Sequence, residues 1–263
     1  MNTELSRQAL TIALTIAERA RPIVLNRWRR AYKIEQKADG SLVSEVDQAV
    51  ETLVREIVAD SMPSAGVLGE EFGHTNPDAE IQWVVDPIDG TADFVHGLST
   101  FGLVLGCFIN HVSIAGMFDF PALNDRCFAA KGLGAFWNEE KIAPPGAAAP
   151  KSPLIALPPA KSLTRSDIPT TALEKLSGAF PDYRTFWTCY SQALAASGKL
   201  DASVELNLKL WDIAAAPIIA EESGRLFRWL REPTPWASGR CSAAIGRPEL
   251  VDSITSILRD VEV

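Results

Sequence analysis

The segment Trp83-Val84-Val85-Asp86-Pro87-Ile88-Asp89-Gly90-Thr91-Ala92-Asp93-Phe94 places carboxylates, a hydroxyl and a glycine where an apolar run ends. The apolar residues read as a buried strand that delivers Asp86 to its end. Pro87 has no N–H and discourages continuation of the ladder. Asp89 follows within one turn, so the Asp86 and Asp89 carboxylates converge with the Ile88 carbonyl on one spot. Hard cations such as Mg2+ take oxygen donors in this kind of array. Gly90-Thr91 then opens a helix, whose free N–H groups and hydroxyl make a seat for an anion. The same residues also fit a plain capped turn, with Asp86 and Asp89 as N-caps and Gly90 supplying backbone freedom.

Two further acidic sites strengthen the functional reading. Leu68-Gly69-Glu70-Glu71 puts adjacent acids directly after an apolar strand. Neighbouring side chains on a strand point to opposite faces, so one acid is expected inward and one outward. A solvated acidic loop is the alternative. Leu210-Trp211-Asp212-Ile213 sets Asp212 at the head of an apolar helix. Capping and metal ligation are compatible there, because a carboxylate has two oxygens.

The elements that must position these residues follow from periodicity. Leu5, Ala9, Ile12, Ala13, Ile16, Ala17 and Ala20 predict an amphipathic helix over residues 4–32, bent at Pro22. After the polar loop at 37–41, a second helix is expected over 45–61. Short strands at 66–69 and 83–85 come next, then hairpins at 101–119 and 126–137. Residues 143–153 hold Pro144, Pro145, Pro150 and Pro153 and break the composition. This places a boundary between an N-terminal α+β subdomain, 1–145, carrying the metal-binding segments, and a C-terminal α/β subdomain, 146–263, completing the site. Helices are expected at 190–198 and 213–223. The order of elements suggests a layered α/β or α+β sandwich.

Bulk properties narrow the function classes. The chain has 263 residues, 47% apolar and 22% charged, and a formal net charge of −8. An acidic chain repels the nucleic-acid backbone, and Arg27, Arg29, Arg30 and Lys33 read as a solvated face. Cys107, Cys127, Cys189 and Cys241 form no C-x-x-C pair, so no zinc or redox site is indicated. His74, His96 and His111 are scattered without ligand spacing. No signal peptide or membrane span is read, and the cytoplasm is the expected compartment.

Gly69-Glu70-Glu71, Asp86-Pro87-Ile88-Asp89-Gly90-Thr91 and Trp211-Asp212 occur in the order of the signatures of the inositol monophosphatase family, which the chain resembles from about residue 5 to 250. Lys37, the stretch Val43-Ser44-Glu45-Val46-Asp47 and the stretch Gly132-Leu133-Gly134-Ala135-Phe136 match further family patterns. The resemblance implies an αβαβα sandwich, a homodimer, Mg2+ as cofactor, lithium sensitivity and hydrolysis of a small phosphate monoester. It implies one ion held by Glu70, Asp86 and the Ile88 carbonyl, and a second held by Asp86, Asp89 and Asp212. Thr91 and Asp47 match the pair that orients and activates the attacking water, with Glu70 also in the catalytic set. Lys37 reads either as a neighbour of the active-site loop or as a solvated lysine.

Substrate choice rests on other segments. Gly90, Thr91, Asp89 and Asp212 are expected to contact the phosphate ester. Glu205 stands where inositol-binding relatives carry a glutamate, and Arg184 matches the family's arginine. Arg184-Thr185-Phe186-Trp187-Thr188-Cys189-Tyr190 carries aromatics where inositol-cleaving members have small residues. That pattern is similar to histidinol-phosphate phosphatases of the same superfamily. Asp93 adds an acid suited to a cationic amine, and Arg225 replaces a usual glycine without an account from sequence. Inositol 1-phosphate is the leading expectation and histidinol phosphate its rival. A non-catalytic binding or regulatory protein of the same fold is the alternative of another class. The full ligand set speaks against it.

Overall fold

The N-terminal apolar stripe forms α1 (Thr3–Arg27), burying Ala9, Ile12, Ala13, Ile16, Ala17, Ala20 and Val24 at three- and four-residue steps. The protein is described by a computed structural model covering residues 3–30, 32–37, 40, 42–147, 150–159 and 168–263. Pro22 lies within α1, and the helix stops at Arg27, short of the expected residue 32. Arg29 has a φ of 59°, which a right-handed helix does not continue through. Of the expected polar loop, Ala38, Asp39 and Ser41 lie outside the described residues.

A two-stranded ribbon, β1 (Ile34–Gln36) and β2 (Leu42–Ser44), leads into α2 (Glu45–Ser61). Ser44 and Asp47 form a reciprocal capping box at the start of α2: Val46 N–H donates to Ser44 Oγ, and Ser44 N–H donates to Asp47 Oδ2 at 2.9 Å.

The first sheet contains β3 (Gly66–Gly69), β4 (Gly73–Thr75), β5 (Ile81–Asp89), β6 (Gly102–Ile109), β7 (Val112–Phe120), β8 (Asp125–Ala130), β9 (Gly134–Trp137) and β10 (Glu140–Lys141). Their order is β10-β9-β8-β7-β6-β5-β3-β4. β3 and β5 run parallel, and the register Gly69 opposite Val85 ends β3 beside the Asp86 stretch of β5. β5 continues through Pro87 to Asp89, farther than the sequence suggests. The ladder with β6 slips between Asp86 and Asp89, and this irregularity accommodates the missing N–H.

The second sheet contains β11 (Ile155–Leu157), β12 (Tyr183–Thr185), β13 (Ala202–Leu208), β14 (Leu226–Arg231) and β15 (Cys241–Gly246), in the order β12-β11-β13-β15-β14. The proline-rich break lies between β10 and β11. Among the described residues the remaining helices are α3 (Thr91–Val95), α4 (Thr171–Ala179), α5 (Tyr190–Ser197), α6 (Leu210–Ile213), α7 (Ala216–Glu222) and α8 (Pro248–Ile257). The single helix expected over 213–223 is thus split, with Pro217 in the first turn of α7.

Three apolar clusters order the layers. α1 and α2 pack on one face of the first sheet through Trp83, Val85, Leu105 and Met117. α5, α6 and α7 fill the space between the sheets, against Val84, Val104 and Phe118 on one side and Ala243 and Ile245 on the other. α4 and α8 cover the outer face of the second sheet. The result is the αβαβα sandwich that the resemblance implied. Gly106 permits the close approach of the middle helices, because a Cβ there would lie 2.5 Å from the Ala214 carbonyl. That approach brings Asp212, at the head of α6, beside Glu70 and Asp86.

Candidate functional site

Because β3 ends opposite Val85 of β5, Glu70 lies beside Asp86, and Glu70 N–H donates to the Val85 carbonyl at 3.3 Å. α6 supplies the third acid. Carboxylate oxygens of Glu70, Asp86 and Asp212 all lie within 4.8 Å of one another. Asp212 also caps α6, since its Oδ2 accepts from Lys209 N–H at 2.8 Å. The capping reading of that residue is met, and its carboxylate also faces the acidic cluster. Asp89 faces the same cavity, and its Oδ2 accepts the N–H of Cys189 from the head of α5.

The turn after β5 carries the hydroxyl. Gly90, at φ 84°, caps α3, and the Thr91 hydroxyl reaches Asp47 Oδ1 at 3.1 Å and the Ile88 carbonyl at 3.2 Å. Asp86 Oδ1 accepts from Ile88 N–H at 3.0 Å. Asp47 is fixed in turn by Ser44, so α2 holds the Thr91 side of the site.

These residues open into a cavity of about 660 Å³, lined also by Gly90, Phe186, Trp187, Gln192 and Glu205. Ser191 Oγ donates to Glu205 Oε1 at 2.9 Å. Trp187 is 57% exposed at the cavity mouth. Among the described lining residues there is no lysine, arginine or histidine.

The electrostatics are those of a site built for positive charge. Burial, then the charges of Glu70, Asp89 and Asp212, push Asp86 well above the usual carboxylate range. Burial and the neighbouring Asp89 and Glu70 do the same to Asp212. Burial raises Asp89 to about 7 against the help of the Cys189 N–H. Burial likewise raises Glu205 to about 7, although Ser191 offsets part of it. Removing an ionised carboxylate from water costs several kcal/mol even after relaxation, so a cluster of them demands a compensating cation. Lys37 supplies part of it from the end of the β1 ribbon. Its Nζ lies 2.7 Å from Glu70 Oε1 and 2.8 Å from Glu71 Oε1. Burial opposes the Lys37 charge, but these two acids outweigh it and raise its pKa. The donor set is all oxygen, which fits a hard divalent cation.

The structure brings together Glu70, Asp86, Ile88, Asp89, Gly90, Thr91, Glu205 and Asp212, with Asp47 behind Thr91. Arg184 is not among them. It lies exposed on β12, and its Nη1 donates to the Tyr183 carbonyl. Asp93 turns away as well and accepts from the Thr100 hydroxyl at 2.6 Å. His96 bonds the Ala92 carbonyl and lines no part of the cavity. Glu70 and Glu71 do not point to opposite sides as strand residues would. They lie in the turn after β3, and both reach Lys37. Arg225 acquires an account: it donates to the Ala143 and Ser223 carbonyls, tying the end of α7 to the chain after β10. Two residues escaped the sequence reading. Gln192 donates to the Asp212 carbonyl at 2.9 Å, and buried Glu51 accepts the N–H groups of Glu71 and Phe72. Glu51 stands one helical turn beyond Asp47 on the same face of α2, a spacing that could have revealed it.

The chain is similar to known proteins along most of its length. The model of the inositol monophosphatase family matches residues 6–261. A histidinol-phosphatase of Mycobacterium tuberculosis is 32% identical over 228 residues, covering 84% of this chain and 86% of that protein. A histidinol-phosphatase of Chlorobaculum parvum is 31% identical over 218 residues, covering 82% of this chain and 83% of that protein. The structure of an inositol monophosphatase from Anabaena superposes with a TM-score of 0.81 at 25% identity, covering 97% of each chain.

Proposed function

Because this chain belongs to the inositol monophosphatase family and is a phosphoric monoester hydrolase, we propose that it cleaves the phosphate ester of a small cationic amino alcohol, histidinol phosphate foremost, with Mg2+ as its cation. The observation that carries the substrate is the cavity lining. Glu205 joins the acidic cluster beside the aromatic side chains of Phe186 and Trp187, and no described lining residue is basic. A substrate ammonium or imidazolium satisfies Glu205, whereas an uncharged polyol leaves its charge unbalanced. The histidinol-phosphatase relatives support this reading, which reverses the order of preference drawn from sequence.

Glu70, Asp86, Asp89, Asp212 and the Ile88 carbonyl would hold Mg2+. When bound, the ion supplies charge neutralisation for the phosphoryl group and acidifies water. The protein's own groups do the rest. The Thr91 proton is shared between Asp47 and the Ile88 carbonyl, so the hydroxyl oxygen keeps a lone pair to accept from the attacking water and orient it. Asp47, raised by burial against its bonds to Ser44 and Thr91, is a fit recipient for the proton passed through Thr91. The N–H groups of Gly90 and Thr91 seat phosphoryl oxygens. Glu205 anchors the leaving alcohol's cation and so aligns the ester for in-line attack.

The test compares kcat/KM for histidinol phosphate and inositol 1-phosphate. The parent should prefer the former at least tenfold, worth about 1.4 kcal/mol, and Glu205→Gln should erase most of that preference. A preference for inositol 1-phosphate would restore the rival reading. The family's lithium sensitivity and homodimer belong to the same proposal. Inhibition by Li+ and a sedimentation mass near twice 28.5 kDa are expected.

A further inference from the structure

Glu51 is fully buried on α2, yet the proposed chemistry gives it no task. Its surroundings do. Its Oε2 accepts Glu71 N–H at 2.7 Å, and its Oε1 accepts Phe72 N–H at 3.1 Å. Arg55, one turn along the helix, donates to the same carboxylate at 2.7 and 2.9 Å. Arg55 then reaches across to the Gly73 carbonyl at 2.6 Å and the Thr75 hydroxyl at 3.1 Å. The pair therefore braces both sides of the turn that carries Glu70.

The glycine before Glu70 reports the same arrangement. A Cβ on Gly69 would lie 2.1 Å from Glu51 Oε1. Gly69 is thus the space that Glu51 occupies, which gives a physical reason for the glycine of Gly69-Glu70-Glu71. Residues four apart stack on one helix face, and Asp47 and Glu51 have this spacing. Asp47 holds the Thr91 turn at 3.1 Å, and Glu51 holds the Glu70 turn.

We propose that Glu51 is a positioning residue: with Asp47 it makes α2 the jig that sets the Glu70 turn against the Asp86–Thr91 turn, and so fixes divalent-cation affinity before any cation arrives. This rests on the reading of Glu70 as a cation ligand. A buried charge that accepts hydrogen bonds from a turn's backbone and from a paired arginine holds that turn in one geometry. A preorganised ligand set binds its cation without the cost of ordering it.

The experiment has two arms. The first measures Mg2+ binding by calorimetry on the parent and Glu51→Gln, with circular dichroism to establish folding. A folded variant should bind at least fivefold more weakly, with kcat recovering at saturating Mg2+. A smaller change in a folded variant overturns the inference. A parent that binds no Mg2+ overturns the cation reading beneath it instead. The second arm needs no variant. Hydrogen exchange on the metal-free parent should show the Glu71 and Phe72 amides already protected. Protection that appears only on adding Mg2+ would mean that the cation, not Glu51, orders the turn, and would overturn the inference.

Discussion

Glu205→Gln separates the energetic cost of the acidic cavity from its use. The Glu205 carboxyl is raised by burial from an ordinary 4.5 to about 7. In the metal-free protein it therefore keeps its proton while the unfolded chain has lost it. This contribution to stability is present in full below about pH 4.5 and is lost as pH rises through about 7. At 1.36 kcal/mol per unit the whole loss is about 3 kcal/mol, of which about 2 kcal/mol falls between about pH 5.5 and pH 8. Glutamine keeps an acceptor for Ser191 Oγ but cannot ionise, so the variant escapes this loss. Urea unfolding with chelator present measures it. The stability of Glu205→Gln relative to the parent should grow by about 2 kcal/mol between those pH values. A difference that stays constant within about 0.5 kcal/mol would show that Glu205 does not titrate against burial, and the electrostatic reasoning for the cavity would be refuted.

The same logic applies to the proposed cation ligands. Asp86→Asn removes the most buried carboxylate of the cluster, so turnover should fall at least about a hundredfold, while the chelated variant should melt above the chelated parent; a lower melting temperature would contradict the assigned repulsion. Mg2+ should stabilise the parent by about 2.7 kcal/mol at a hundred times its dissociation constant, and thermal melts should show a smaller shift near pH 5.5 than near pH 8, because protons compete for the same oxygens. Equal shifts at both pH values would mean that the cation binds elsewhere.

α2 and β3 were legible in the sequence because an apolar face at helical spacing and the flanking Pro63 and Gly66 are local signals. The strand that delivers Asp86 was legible too, but not its passage through Pro87. That depends on an irregularity in the partner ladder, which no local pattern shows. The division of the helix after Asp212 depends on packing between two sheets. Glu70, Asp86, Asp89, Thr91 and Asp212, which line one cavity, stood out because each follows an apolar run and together they resemble the family's signatures. Arg184 and Asp93 were misplaced for the opposite reason. Each sits beside the right segment, but β12 leaves Arg184 at the surface and the Thr100 hydroxyl turns Asp93 aside. Glu51 was missed because a carboxylate among apolar helix residues looks like solvent-facing charge until the turn it braces is seen. The two acids of Gly69-Glu70-Glu71 both reach Lys37 because a turn, unlike a strand, does not alternate.

The most direct measurement is phosphate release from histidinol phosphate by the purified protein with Mg2+, after chelation, and after Mg2+ is restored. Turnover should vanish on chelation and return on restoration. Full turnover in chelator would contradict the claim that the Glu70, Asp86 and Asp212 carboxylates act by holding a cation.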